Sequence, residues 1–164
     1  MQAQATQSQR QYLDLKDLSV VVLDDNANTR TLISEVLRGL GIRRIARVGA
    51  CSDALSILKN NPVDLLFTDI ELEGENGLEF VRFLRASPQQ KVANVATVVV
   101  SSHATEARVM QAGAVGADGF LSKPFTVASL AKRLTEGLAT RQWVAQQPPA
   151  TAANPAAEPR QIEL

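Results

Sequence analysis

Apolar residues along this chain fall into two alternating kinds of segment. Short continuous runs at Ser19–Leu23, Arg43–Val48, Val63–Asp69, Val95–Val100 and Asp118–Ser122 carry no helical period and read as strands, most of them buried on both faces. Between them lie stripes at helical spacing. The first is Leu32, Ile33, Val36, Leu37 and Leu40, and the second is Ala54, Leu55, Ile57 and Leu58. Leu78, Val81 and Leu84 make the third, and the stretch from Thr105 to Val115 is a weak fourth, with Gly113 and few large apolar residues. The clearest stripe comes last: Val127, Leu130, Ala131, Leu134 and Leu138. The punctuation agrees, with a helix start at Asn26 to Asn28, glycine stops at Gly39 and Gly41, and a break at Asn60-Asn61-Pro62. Five strands alternating with five helices predict an α/β fold, a doubly wound parallel sheet covered on both faces. Right-handed crossovers restrict its strand order to a few choices, of which 2-1-3-4-5 is the one adopted here.

The second strand carries Arg43, Arg44 and Arg47, which places it at a sheet edge, where charge discourages edge-to-edge pairing. Residues 1–17 open Gln-rich and read as a flexible extension with a short lead-in. The folded domain is expected over residues 18–141. After Arg141 the chain turns to Pro, Ala, Gln and Thr, which cannot bury a core, so residues 142–164 read as a disordered tail.

Composition mainly excludes. Seventeen basic and seventeen acidic side chains give no net charge, which argues against a nucleic-acid or anionic-membrane partner held by bulk electrostatics. No apolar run is long enough to span a bilayer, and the N-terminus lacks the apolar core of a signal peptide. One cysteine, Cys51, excludes an internal disulfide and fits a reducing cytoplasm, and one histidine, His103, leaves no zinc cluster.

Candidate chemistry emerges where the strands end. Asp24 and Asp25 follow the first, Asp69 closes the third, Ser101 follows the fourth and Lys123 the fifth. In the order 2-1-3-4-5 the topological switch lies between strands one and three, so the three acids flank the crevice where ligands bind. Crowded carboxylates raise one another's pKa, and a hard divalent cation such as Mg²⁺, which takes oxygen ligands, resolves the repulsion. Lysine adds a point charge and serine a hydroxyl, which together suit an anionic phosphoryl group beside a carboxylate nucleophile.

Asp24-Asp25 after one apolar strand, Asp69 after another, Ser101 after a third and Lys123-Pro124-Phe125 after a fourth resemble the receiver domain of a two-component response regulator, here of the stand-alone type. The resemblance covers residues 19 to 141 and implies a flavodoxin-like fold. It implies that Asp69 is the phosphoacceptor, that Asp25 binds Mg²⁺ directly and Asp24 through water, and that the backbone carbonyl of Glu71 completes the metal site. Ser101 matches the hydroxyl that contacts the phosphoryl group, Lys123 the family's lysine, followed by a cis proline bond, and Phe120 the aromatic switch position. The implied protein is bacterial and cytoplasmic. It is a signalling protein rather than an enzyme on an external substrate. It is phosphorylated by a sensor histidine kinase or a histidine phosphotransfer protein, and acts on a downstream protein as a monomer or phosphorylation-dependent dimer. The rival reading is a receiver-like interaction module that works without phosphorylation. Where the family often has Met-Pro, this chain has Leu72-Glu73, so that Glu71, Glu73 and Glu75 line the loop after the acceptor. That loop is either simply solvated or a negative field that disfavours small anionic phosphodonors.

Overall fold

The computed structural model describes residues 14–145. A 3₁₀ turn at Leu15–Asp17 leads into β1 (Ser19–Leu23), α1 (Ala27–Gly39), β2 (Arg44–Val48), α2 (Cys51–Asn60) and β3 (Leu65–Asp69). A two-stranded antiparallel hairpin follows, β4 (Glu71–Leu72) and β5 (Glu75–Asn76), then α3 (Gly77–Arg85) and the short α4 (Gln90–Ala93). The chain continues through β6 (Ala96–Ser101), α5 (Glu106–Ala114), β7 (Gly119–Ser122) and α6 (Val127–Ala145). Residues 1–13 of the expected N-terminal extension and residues 146–164 of the expected tail lie outside the described residues, while residues 142–145, expected as the start of the tail, continue α6.

The main sheet is parallel throughout, in the order β2-β1-β3-β6-β7. With β6 and β7 as the fourth and fifth runs, this is the predicted 2-1-3-4-5. The helix count needs correction: six helices, not five, appear among the described residues. The additional one, α4, lies between the third helical stripe and the fourth apolar run, and it forms around one fully buried side chain, Val92. A single buried residue leaves no periodic stripe to detect. The acidic loop after Asp69 likewise closes into the small hairpin, with Gly74 at positive φ (71°) in its turn.

Alternation along the strands sorts the core onto two faces. Val20 and Val22 of β1, Leu65 and Phe67 of β3 and Val98 of β6 pack with Ile33 and Leu37 of α1 and Leu130 and Leu134 of α6. Their neighbours Val21, Leu23 and Leu66 face α2 and α3, and Val99 and Phe120 meet Val81 of α3 and Val109 of α5. Leu15 of the lead-in turn packs against the α1/α6 side. On the edge strand β2, Arg44 and Arg47 are exposed, as a protected edge requires.

At the N-terminal end of the sheet, away from the strand ends that carry Asp69 and Lys123, sits a buried ion cluster. The Asp118 side chain is wholly enclosed, with Arg85 Nη2 at 3.0 Å from Oδ2 and Arg141 Nη2 at 2.7 Å from Oδ1. The Thr97 N–H also donates to Asp118 Oδ2 (2.9 Å). Arg85 further donates to the carbonyls of Ala93, Val95 and Gly116. One guanidinium from α3 and one from α6 thereby fasten the starts of β6 and β7. Removing one partner of such a group leaves buried charge uncompensated. Asp118→Ala is expected to lose about 3–5 kcal/mol of stability in a urea unfolding curve, whereas a loss under about 1 kcal/mol, the range of exposed pairs, would show that the cluster is not structural.

Candidate functional site

The site begins with a backbone turn. After β1, the Asp24 N–H bonds to the Val48 carbonyl of β2 at 3.2 Å. Asn26 then caps α1, its side chain accepting from the N–H groups of Asn28 and Thr29, while its own N–H donates to Asp24 Oδ1 (2.8 Å). From the first turns of α1, Arg30 Nη1 reaches back to the carbonyls of Asp24 (2.6 Å) and Asp25 (3.2 Å). The pair of acids is thus held by its backbone, with Asp24 buried and Asp25 exposed.

β3 brings Asp69 alongside. A carboxylate oxygen from each of Asp24, Asp25 and Asp69 lies within 4.8 Å of the others. Lys123, at the end of β7, donates its N–H to the Ser101 carbonyl (2.8 Å) and precedes a cis Pro124. Its Nζ bridges Asp24 Oδ2 at 3.0 Å and Asp69 Oδ2 at 2.9 Å. The other Asp69 oxygen accepts from the Glu71 N–H (3.2 Å). Burial pushes the Asp24 carboxyl up, against the Asn26 N–H and the Lys123 ammonium, and the charge of Asp69 adds to the rise. For Lys123 burial works downward, but hydrogen bonds and charge from Asp69 and Asp24 outweigh it and hold the ammonium above its usual range.

Of the other expected residues, Ser101 is buried, and its hydroxyl accepts from the His103 N–H at 3.1 Å rather than reaching Asp69. Phe120 is enclosed among Val99, Val109 and Ala112. Glu71 places its backbone beside Asp69, and its side chain pairs outward with Arg108 (2.8 Å) and His103 Nδ1 (3.5 Å).

Charge and chemistry of the donors bear on a metal. Three oxygen-donor carboxylates converge with one ammonium between two of them, a set that matches a hard divalent cation. Among the described residues, no other group of three or more acidic, His or Cys side chains is arranged to hold one.

Comparison with known proteins settles the class. The response regulator receiver domain family matches residues 20–135. The chain belongs to that family. Among curated relatives, chemotaxis protein CheY-3 of Vibrio cholerae is 26% identical over 119 residues, spanning 73% of this chain and 90% of the relative. A probable chemotaxis protein CheY of Rhizobium etli is 29% identical over 110 residues, spanning 67% and 84%. Among solved structures, a putative response regulator from Chloroflexus aurantiacus superposes with a TM-score of 0.69 at 24% identity, covering 74% of this chain and 98% of that one. No helix among the described residues is long and apolar enough to cross a membrane.

The receiver's site holds residues that sequence reading missed. Gly77 opens α3 directly against Asp69: a Cβ there would lie 1.8 Å from the Asp69 carbonyl oxygen, and its N–H bonds to the Ile70 carbonyl (2.8 Å). Glycine at a first helical position, where propensity disfavours it, was the available signal. Glu75 accepts from the Cys51 N–H at 3.1 Å and so caps α2, whose own Ala50 has no capping side chain. Burial and the neighbouring Glu75 push the Cys51 thiol up to about 12, which leaves it an inert packing residue. Arg30 and Arg108 carried no local signal.

The raised Asp24 pKa has a direction that can be measured. A carboxyl whose folded pKa exceeds its unfolded value favours folding when protonated, and that contribution is lost as pH rises through the folded value. At neutral pH in chelator, Asp24→Asn is therefore expected to melt above the wild type. A divalent cation should then raise the wild-type midpoint by more than that of Asp24→Asn, which keeps Asp25 and Asp69 but loses one negative charge. A lower midpoint for Asp24→Asn in chelator would mean that the ion pair with Lys123 outweighs burial.

Proposed function

We propose that this receiver is a phosphorylation-dependent switch in which Asp69 accepts a phosphoryl group from a phosphohistidine. The observation that carries the proposal is the bridging of Asp24 and Asp69 by Lys123 at the sheet's switch point, beside Asp25. An Asp69 oxygen attacks phosphorus, the phosphorus–nitrogen bond breaks, and the imidazole nitrogen takes a proton from solvent. The product is an acyl phosphate on Asp69. Asp24, Asp25, Asp69 and the Glu71 carbonyl would hold Mg²⁺, which when bound supplies charge compensation for the phosphoryl oxygens. Lys123 supplies a second cation, already fixed at the acceptor and kept protonated by its two acids. Rate enhancement then comes from positioning and electrostatics, and slow self-hydrolysis returns the carboxylate.

Signal output follows from two placements. To donate to a phosphoryl oxygen the Ser101 O–H must leave the His103 carbonyl (3.4 Å), which loosens one of its two ties to the segment leading into α5. Phe120 is already enclosed against α5, so coupling through it acts on packing between α5 and β7 rather than on entry of an exposed ring. The donor is a sensor histidine kinase or a histidine phosphotransfer protein. The response is contact with a downstream protein or onward phosphotransfer.

Intact mass after incubation with Mg²⁺ and acetyl phosphate, or with a histidine kinase, tests the reading. The expected result is one added phosphoryl group on the wild type and none on Asp69→Ala. No uptake from either donor, with cation binding shown separately, would overturn it in favour of a module that works unmodified.

A further inference from the structure

The acidic hairpin after the acceptor is less negative than its sequence reads. Glu75 is turned onto the α2 N-terminus, where its Oε1 accepts the Cys51 N–H. Of the hairpin's acids, Glu71 has its backbone against Asp69, its own N–H donating to Asp69 Oδ1. Its carboxylate spans the mouth of the site between the ends of β3 and β6, with Oε1 3.5 Å from His103 Nδ1. There it meets Arg108 of α5, whose Nη2 donates to the same oxygen at 2.8 Å. Both partners are partly solvated, with side chains 31% exposed for Arg108 and 55% for Glu71, beside an Asp69 that is itself buried.

We infer that Arg108 sets the charge of this mouth: by pairing with Glu71 it cancels a negative charge that would otherwise repel anionic phosphodonors from Asp69. The inference rests on the reading of Asp69 as phosphoacceptor and adds a specificity-determining residue on α5. It does not require Arg108 to touch the phosphoryl group. A unit charge a few ångströms from the path of a dianionic donor changes its local concentration and its approach. Such an effect has a sign, which distinguishes it from a mere mechanical tie. Breaking a tie from either end does the same thing; removing opposite charges does opposite things.

The test is the initial rate of phosphoryl uptake from acetyl phosphate with Mg²⁺, read by intact mass, with melting temperature recorded for each variant. At low ionic strength Arg108→Ala should be slower than wild type by about three- to tenfold, and Glu71→Gln faster by a similar factor. The double variant Arg108→Ala with Glu71→Gln should return near the wild-type rate, and Arg108→Lys should keep most of it. The spread should shrink as the Debye length falls to about 8 Å at physiological salt. If Arg108→Ala and Glu71→Gln shift the rate in the same direction, or the double variant stays as slow as Arg108→Ala, the contact is structural and the inference fails. It fails also if Arg108→Ala matches the wild type. Absence of any uptake by the wild type, from acetyl phosphate or a kinase, would instead overturn the phosphoacceptor reading beneath it.

Discussion

One ammonium makes the site possible. Asp24 and Asp69 are both largely withdrawn from water, and their carboxylates converge with that of Asp25. Two acids brought together in a partly dry crevice would repel until one took a proton. Lys123 stands between them, bonded to both. It is itself held by the Ser101 carbonyl through its N–H, and it follows β7 directly. The sheet order matters because it puts β1 and β3 side by side and lets the end of β7 reach across β6 to them. Asp24 still lies above its ordinary pKa, chiefly because it is buried, and the charge of Asp69 adds to the rise. Three carboxylates face one ammonium here, an excess of negative charge that a divalent cation would offset.

The opposite end of the sheet uses the same physics for a different purpose. There Asp118 is completely enclosed and met by two guanidinium groups and a backbone N–H. Charge there is matched by bonds from several elements, and the result is a fastening between α3, α6 and the starts of β6 and β7. At the functional end the compensation is incomplete. Residue type does not distinguish the two clusters, since both consist of carboxylates and cations; the number of donors gathered on each carboxylate does.

The strands and the positions of the central residues were legible because they follow from local pattern, whereas the sheet order was one of a few that crossover handedness leaves open and was singled out by the family resemblance. Each strand is an apolar run, and Asp24, Asp69, Ser101 and Lys123 each stand where such a run stops. What sequence could not show depends on contacts between distant positions. Val92 forms α4 by burying one side chain, without a stripe. Glu75 caps a helix to which it is not adjacent in sequence. Arg85, Arg141 and Asp118 look like ordinary surface charges until the fold brings them together. Arg108, on the weakest helical stripe, gives no hint that it faces Glu71. The acidic hairpin was left open between a solvated loop and a repulsive field, and its geometry shows two of its acids already engaged.

Gly77 gives the site an uneven capacity to change. Its missing Cβ lets the start of α3 lie against the Asp69 carbonyl, at a distance no side chain permits. The floor beneath Asp69 is therefore main chain against main chain, and no substitution can adjust it by degrees. The rim above it is made of solvated side chains whose exchange disturbs little packing. Substitution is thus met differently at two places a few residues apart: refused by main chain at Gly77 and open to exchange at the exposed Glu71.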